Sequence, residues 1–184
     1  ALCAALADAG ARRIMLVESQ YSYQTPEDVL GGGGWDIAAI KSAGAHRVGF
    51  EDTRNRGRWP RYSRLAVSWG GFLFPAFDVN QCYEKTDVFI SLGKMKDHAG
   101  AGVTLSAKNL FGIAPTSLYG NDGPNERSLT NRGDVLHMGT RVVPSGVPGE
   151  IDADSPRNPN DRLPRGTANT VGALPIYLSI IDGF

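Results

Sequence analysis

Short apolar runs alternate along the chain with stretches whose apolar residues recur at helical spacing. The runs typical of β-strands are residues 13–18, 47–50, 64–69, 72–79, 87–92 and 176–181. The stretches that favour helices are residues 1–8, 26–30, 35–41, 104–110 and 166–174. This alternation predicts an α/β fold with a mostly parallel or mixed sheet and helices on both faces.

Two of the predicted strands, residues 87–92 and 176–181, are strongly apolar, so we expect both to be deeply buried. Residues 87–92 form the kind of run that is covered on both faces of a sheet. Residues 64–69 and 72–79 are separated by a Gly-Gly pair and favour a hairpin, which would make the sheet mixed.

The domain organisation is predicted from length and turn content. A chain of 184 residues fits a single α/β domain spanning residues 1–184. Residues 115–165 are rich in Gly, Pro, Asn, Asp and Arg, and a stretch of that length favours an irregular insertion or a lid. The chain begins without Met inside a predicted helix and stops at the end of a predicted strand. We therefore expect it to be a fragment of a longer protein.

Composition and charge exclude several classes of protein. The chain has 19 basic and 19 acidic residues, and this balance argues against a dedicated binder of nucleic acid or membrane surfaces. No apolar run approaches the roughly 20 residues that span a bilayer. The chain has two cysteines, Cys3 and Cys82, and no Cys-x-x-Cys, so it lacks a ligand set for an iron–sulfur cluster and its cofactor stays unknown. We favour a soluble cytoplasmic protein, with export left open because the original N-terminus is expected to be missing.

The densest group of chemically useful residues lies in residues 93–112, directly after the predicted strand 87–92. Open α/β sheets bind ligands at the carboxyl ends of their strands. Lys94 and Lys96 are two residues apart, so both would point to the same face if the strand continued. A helix beginning near Thr104 would aim free N–H groups at an anion. We therefore predict a site for a small anionic ligand.

The residue types at this site point to separate roles. His98 and Lys108 are the catalytic candidates. His98 could act as a general acid or base, contact substrate, make a structural hydrogen bond or ligate a metal, but no local set of metal ligands accompanies it. Lys108 could be a nucleophile if burial lowered the pKa of its amine, and would otherwise pair with an anion. Glu18 and Asp182 end predicted strands and could either reach the same edge or cap turns. The residues expected to bind substrate are Lys94, Lys96, Thr104, Ser106 and Asn109.

A longer motif contains this site. Residues 87–98 read Asp-Val-Phe-Ile-Ser-Leu-Gly-Lys-Met-Lys-Asp-His, and they are followed by Gly102-Val103-Thr104 and by Lys108-Asn109-Leu110-Phe111-Gly112. This pattern resembles the signature of the family called domain of unknown function 362 (DUF362). Gly93 and Asp97 stand where that signature has proline and threonine, while its lysine and histidine positions are kept.

The resemblance carries expectations of its own. It implies an α/β fold and a shared site at Lys94, Lys96, His98, Lys108 and Asn109. His137 is similar in position to a histidine downstream of the family's Lys-Asn-Leu-Phe-Gly motif. Some members carry an iron–sulfur module, which implies a redox role or an electron-transfer partner. The family's name assigns no reaction.

Three functions remain open at this point. The first is an enzyme that acts on a small anionic substrate, possible redox chemistry included, through the lysine and histidine site. The second is a non-catalytic binding or scaffold domain that holds a cofactor or a metal-delivery partner in the same pocket. The third is nucleic-acid binding through residues 54–64, which hold five arginines with Trp59 and Tyr62 interleaved. The neutral charge of the whole chain makes this third function the least favoured.

Overall fold

The computed structural model describes residues 1–183. Side chains of Thr25, Asp36 and Asn158 cap the starts of three helices by accepting a backbone N–H. The α-helices are α1 (Leu2–Asp8), α2 (Pro26–Gly32), α3 (Ile37–Ala43), α4 (Gln81–Glu84), α5 (Ser106–Asn109), α6 (Thr116–Tyr119) and α7 (Pro159–Ala173). A 3-10 helix spans Leu110–Ile113, and a π-helical segment spans Gly133–His137.

The strands pair in parallel and in antiparallel fashion. They are β1 (Ile14–Glu18), β2 (Val48–Asp52), β3 (Tyr62–Ala66), β4 (Ala76–Asn80), β5 (Ile90–Lys94), β6 (Lys96–His98), β7 (Gly102–Thr104) and β8 (Leu178–Asp182). Within residues 1–183, β1–β2 and β5–β8 are parallel ladders, and β3–β4 and β6–β7 are antiparallel ladders. This mixture confirms the predicted α/β class, with the strands divided among four two-stranded ladders.

The predicted hairpin is formed by β3 and β4. Arg64 and Asp78 lie opposite each other in the ladder, and Arg64 Nε donates to Asp78 Oδ1 at 2.7 Å. Gly71, in the connection between the strands, has a φ of +82°. A Cβ at Gly71 would lie 2.1 Å from the carbonyl oxygen of Phe74. Both the backbone angle and the close approach therefore require glycine at this position.

The main cluster of buried apolar side chains joins β4, the 3-10 helix, the π-helical segment and α7. Its most buried members are Leu73, Phe77, Val79, Leu110, Ile113, Ala114, Tyr119, Val135, Leu136 and Leu163. Asn169 of α7 accepts the backbone N–H groups of Leu73 and Phe74 at 2.8 and 3.1 Å. These two bonds attach the helix to the connection between β3 and β4, so the core and the helix hold each other in place.

The ladder of β5 and β8 is less buried than its sequence predicted. Every residue of β8 is exposed, and in β5 buried Ser91 and Gly93 alternate with exposed Leu92 and Lys94. The expectation of deep burial for these strands is therefore wrong for the described residues. The physical reason is that the strands form a two-stranded ladder, and α5 packs against β5 from one side.

Residues 115–165, predicted as an irregular insertion or lid, carry α6, the π-helical segment and the beginning of α7. Tyr119 is fully buried, and its hydroxyl oxygen accepts the backbone N–H of Asp78 at 2.9 Å. This attachment to β4 anchors one end of the segment in the core. Farther along the segment, Arg132 and His137 lie on the lining of the same cavity as residues of β6 and β7.

Candidate functional site

The hairpin of β6 and β7 places three of the predicted site residues. Lys96 lies opposite Thr104 in the ladder, and His98 lies opposite Gly102. Gly102 has a φ of +72°, a backbone conformation that side-chain-bearing residues rarely adopt. The Gly-Val-Thr motif thus closes a tight hairpin that brings Lys96, His98 and Thr104 together.

The residues that follow are helical over a shorter range than predicted. The sequence predicted a helix over residues 104–110, whereas α5 covers only Ser106–Asn109 and passes into the 3-10 helix Leu110–Ile113. One turn of helix sums few peptide dipoles, so the positive field at this site comes from side chains instead. The tightly wound segment presents Lys108, Asn109 and Phe111 to the cavity beside the hairpin.

A cavity of about 480 Å³ lies where these elements meet the segment 115–165. Its lining residues are Tyr21, Lys96, His98, Thr104, Lys108, Asn109, Phe111, Gly112, Asn131, Arg132, Gly133 and His137. We call this space the cationic cavity. It is large enough for a small molecule, since ligand pockets span roughly 300–1,000 Å³.

Three cations lie on this lining, and no aspartate or glutamate does. Lys96, Lys108 and Arg132 also form no salt bridge within residues 1–183. Arg132 donates from Nε to the Ala114 carbonyl and from one terminal nitrogen to the Tyr21 hydroxyl at 3.3 Å. Its other terminal nitrogen is buried with no hydrogen-bond partner in the described part of the chain. Burial lowers the pKa of this guanidinium, which nevertheless stays charged.

The amine of Lys108 lies in an unusual environment. Its Nζ is 4.1 Å from the centre of the Phe111 ring. Burial, together with the positive charges of Arg132 and Lys96, lowers the pKa of Lys108 to about 8. About a tenth of Lys108 is therefore an uncharged amine at pH 7, given a pKa near 8.

His98 is oriented by the hairpin turn. Its Nδ1 accepts the backbone N–H groups of Gly100 and Ala101, each at 3.2 Å. A neutral imidazole that accepts at Nδ1 carries its proton on Nε2. Burial lowers the pKa of His98, and the charges of Lys108 and Lys96 add to that effect. The neutral ring therefore has Nε2–H as its donor.

His137 lies edge-on against two other rings. Its centroid is 5.6 Å from that of His98 and 5.3 Å from that of Phe111. Burial lowers the pKa of His137 to about 4, helped by the charges of Lys108, His98 and Arg132. Both histidines are thus neutral at pH 7, and the positive charge of the cavity belongs to Lys96, Lys108 and Arg132.

Four predicted site residues lie off this lining. Lys94 is exposed at the end of β5 and pairs in register with Asp182 of β8. Ser106 is buried, and its carbonyl oxygen accepts the Ser91 hydroxyl. Glu18 is exposed at the end of β1, and its carboxylate accepts the backbone N–H of Ser19 at 2.9 Å. Of the sequence-predicted residues, the cavity therefore brings together Lys96, His98, Thr104, Lys108, Asn109 and His137.

Sequence reasoning missed Tyr21, Phe111, Asn131 and Arg132 as lining residues. Phe111 stands inside the motif that identified the site, so its position was a usable signal. Tyr21 follows the carboxyl end of a predicted strand, and that position was a weaker signal for a lining residue. Arg132 lies in a turn-rich stretch with no periodicity, and nothing in the sequence distinguishes it from the other arginines there.

Across residues 1–183, no group of three or more His, Cys, Asp or Glu side chains is arranged to hold a metal ion. Over the same range, no helix combines the length and the apolar character needed to cross a membrane.

The fold and the cavity define an α/β protein with a candidate site whose lining carries cations and no carboxylate. The chain as a whole, residues 1–184, matches the family model for the domain of unknown function DUF362, so the protein belongs to that family. This membership confirms the resemblance drawn from residues 87–112. Neither the curated proteins nor the solved structures contained a match to the chain.

Proposed function

We propose that the protein is an enzyme that binds a small anionic substrate in the cationic cavity. The observation that supports this proposal best is the lining itself, with three cations and no carboxylate among its residues. Three positive charges around about 480 Å³ create a potential that a phosphate or carboxylate group would neutralise. A cluster of groups with displaced pKa values is also typical of catalytic sites.

Arg132 is the proposed anchor for the anion. Its free terminal nitrogen is buried, and a buried donor without a partner is costly unless a ligand supplies the acceptor. A guanidinium and an oxyanion form short, charge-assisted hydrogen bonds, which are stronger than bonds between neutral groups. The Oγ1 of Thr104 is also buried without a partner among residues 1–183 and lies on the same lining. Arg132 and Thr104 together would therefore supply donors to a bound oxyanion.

Lys96, Lys108 and His98 complete the proposed substrate site. The two ammonium groups add charge, and the Nε2–H of His98 adds a directional donor. Asn109 is held in place because its side-chain amide donates to the Leu92 carbonyl at 3.2 Å. In this proposal Lys108 is the reactive group, because it alone combines a place on the lining with an amine that is partly uncharged near neutral pH.

Titration calorimetry with inorganic phosphate tests the proposal. We expect one phosphate to bind per chain at pH 7 and low ionic strength. The double variant Lys96→Gln with Arg132→Gln should lose most of that affinity, because two of the three positive charges are gone. The matched control is Lys85→Gln with Arg127→Gln, which removes two exposed cations away from the cavity.

The control variant should bind phosphate as the unmodified protein does. Equal loss of affinity in both double variants would contradict the proposal, because binding would then depend on net charge alone. Absence of phosphate binding to the unmodified protein, with sulfate and acetate also failing to bind, would contradict it as well.

A further inference from the structure

The nature of the substrate can be narrowed by the chemistry of one side chain. Building on the proposed function, we propose that Lys108 forms an imine with an anionic carbonyl compound, meaning an aldehyde or ketone that carries a carboxylate or phosphate. The anion would be held by Arg132 and Lys96, which share the lining with Lys108.

The surroundings of Lys108 favour a nucleophilic amine over an ion-pairing one. No carboxylate pairs with the amine within residues 1–183, and the Phe111 ring that it contacts on one side is a weaker partner for an ammonium than a carboxylate would be. On the other side Lys108 lines a second cavity of about 300 Å³, whose remaining residues are Ala101, Val103, Leu105, Ala107, Leu163, Pro164 and Thr167. These mostly apolar side chains keep water away from an ammonium group at Lys108. This loss of hydration is the main physical cause of the low pKa of the amine.

Neighbouring cations act in the same direction. Arg132 and Lys96 repel a positive charge on Lys108, so protonation of the amine is disfavoured while the cavity is empty of anion. The two other cations can then hold the acidic group of a substrate, and the fraction of Lys108 that is uncharged when the substrate arrives supplies the nucleophile. One cavity thereby combines an anchor for the anion with a free amine for the carbonyl carbon.

The proposed step balances without a redox partner. The lone pair of the Lys108 nitrogen forms a bond to the carbonyl carbon, and the electron pair of the C=O bond moves to the oxygen. The nitrogen releases one proton and the oxygen gains one, which gives a carbinolamine. Loss of the hydroxyl group with a second proton from the nitrogen releases water and leaves the C=N bond. The Nε2–H of His98 is a donor that can stabilise negative charge on the oxygen during the first step.

Reductive trapping tests this inference on the whole chain. The protein is incubated at pH 7 with cyanoborohydride and, in separate arms, one of three aldehydes: glyoxylate, glycolaldehyde phosphate or uncharged glycolaldehyde. Peptide mapping by mass spectrometry then locates the label among the five lysines Lys41, Lys85, Lys94, Lys96 and Lys108. We expect Lys108 to be labelled at least tenfold faster than exposed Lys85, because the amine of Lys108 is partly uncharged at pH 7 and lies beside the proposed anion anchor.

The arms distinguish the two possible acidic groups. Labelling of Lys108 relative to Lys85 that is faster with glyoxylate indicates a carboxylate substrate, and labelling that is faster with glycolaldehyde phosphate indicates a phosphate substrate. Lys108→Arg should abolish the fast label while Lys85→Arg leaves it unchanged. Inorganic phosphate should slow the labelling of Lys108 by competing for Arg132 and Lys96.

Failure of this inference is distinct from failure of the proposed function. Labels spread evenly over the five lysines, in a protein that still binds inorganic phosphate, would overturn the imine and leave anion binding standing. Equal labelling of Lys108 by glycolaldehyde and its phosphate would also overturn the requirement for an anion. Loss of phosphate binding and of selective labelling together would overturn both proposals.

Discussion

Two regions of this protein are rich in basic residues, and they use them in opposite ways. In the arginine-rich segment, residues 54–64, Arg54 is fully buried and bonds to Asp52 at 2.6 Å, and Arg64 bonds to Asp78. In the cationic cavity, Lys96, Lys108 and Arg132 have no carboxylate partner among the described residues. Paired cations stabilise the fold, whereas unpaired ones leave a field for a ligand.

The difference shows that a cluster of basic residues in a sequence does not by itself define an anion-binding site. Residues 54–64 hold five arginines, of which Arg54 is paired with Asp52 inside the protein and Arg64 is paired with Asp78 at the surface. The cavity gathers only three cations, but they come from separate parts of the chain and no carboxylate lies on the lining, although Glu18, off the lining, interacts electrostatically with Arg132. The position of carboxylates, set by the fold, decides which basic cluster can bind an anion.

The largest effect is expected from breaking the paired region. Arg54→Met removes a guanidinium that also donates to the carbonyl groups of Ser22 and Ser128, and it leaves Asp52 as a buried, unpaired charge. We expect the free energy of unfolding to fall by about 3–5 kcal/mol, the usual cost of removing one member of a buried ion pair. Urea denaturation measures it, and exposed Arg56→Met is the control, with a change within about 0.5 kcal/mol. A similar small change in Arg54→Met would contradict the structural role of the pair.

A smaller, ligand-specific effect is expected from the unpaired region. Arg132→Gln should weaken phosphate binding by about 10- to 100-fold, the usual worth of a hydrogen bond to a charged group. Titration calorimetry measures the affinity, and Arg127→Gln, which removes an exposed arginine, should leave it within about twofold. Equal affinities in the two variants would show that Arg132 does not hold the anion.

The affinity of the cavity should also depend on pH through Lys108. Below its pKa of about 8 the amine is charged and attracts an anion, and above that pKa the attraction is lost. The affinity for sulfate, whose own charge is constant, should therefore fall roughly three- to tenfold between pH 7 and pH 9. Lys108→Arg keeps its charge over this range, so its sulfate affinity should stay level. If the sulfate affinity of the unmodified protein were as independent of pH as that of Lys108→Arg, the assignment of the pH dependence to Lys108 would be contradicted.

The smallest effect concerns His137 and acid stability. The pKa of His137 is lowered to about 4 in the folded protein, while an unfolded histidine binds its proton near pH 6.5. Between these values the unfolded state binds more protons, so stability falls as the pH falls from about 6.5 to 4. His137→Gln should remove that part of the slope, a difference of about 1 kcal/mol or less after solvent screening. Urea denaturation at pH 7 and pH 5 measures it, and identical slopes in both proteins would contradict the burial of a neutral imidazole.

Local patterns predicted much of the fold. The apolar runs located β1, β2, β5 and β8 to within a few residues, and the Gly-Gly pair located the hairpin of β3 and β4. The 15-residue helix α7 was predicted only from residue 166 onward. Pro159 and Pro164 lie in its first turns, and proline inside a segment argues against a helix there. The pairing of β5 with β8 could not be predicted from the sequence, since an apolar run does not indicate which strand pairs with it or which elements pack on its faces.

The site was predictable where its residues are close in sequence. Lys96, His98, Thr104, Lys108 and Asn109 come from one continuous motif, and all of them line the cavity. Lys94 was assigned to the same face as Lys96, but β5 ends at Lys94 and a new strand begins at Lys96, so their directions are no longer linked by strand alternation. Arg132 reaches the cavity from a distant, aperiodic segment, and long-range convergence of that kind leaves no local signal.

The central claim is that the cationic cavity, and not the arginine-rich segment, holds a small anion. Its most direct test is an NMR titration of the isotope-labelled chain with inorganic phosphate, followed at each backbone amide. The account predicts saturable shifts at the cavity residues Asn109, Gly112, Asn131 and Gly133, with residues 54–64 unaffected. Shifts confined to residues 54–64, or no saturable shift at the cavity residues, would contradict it.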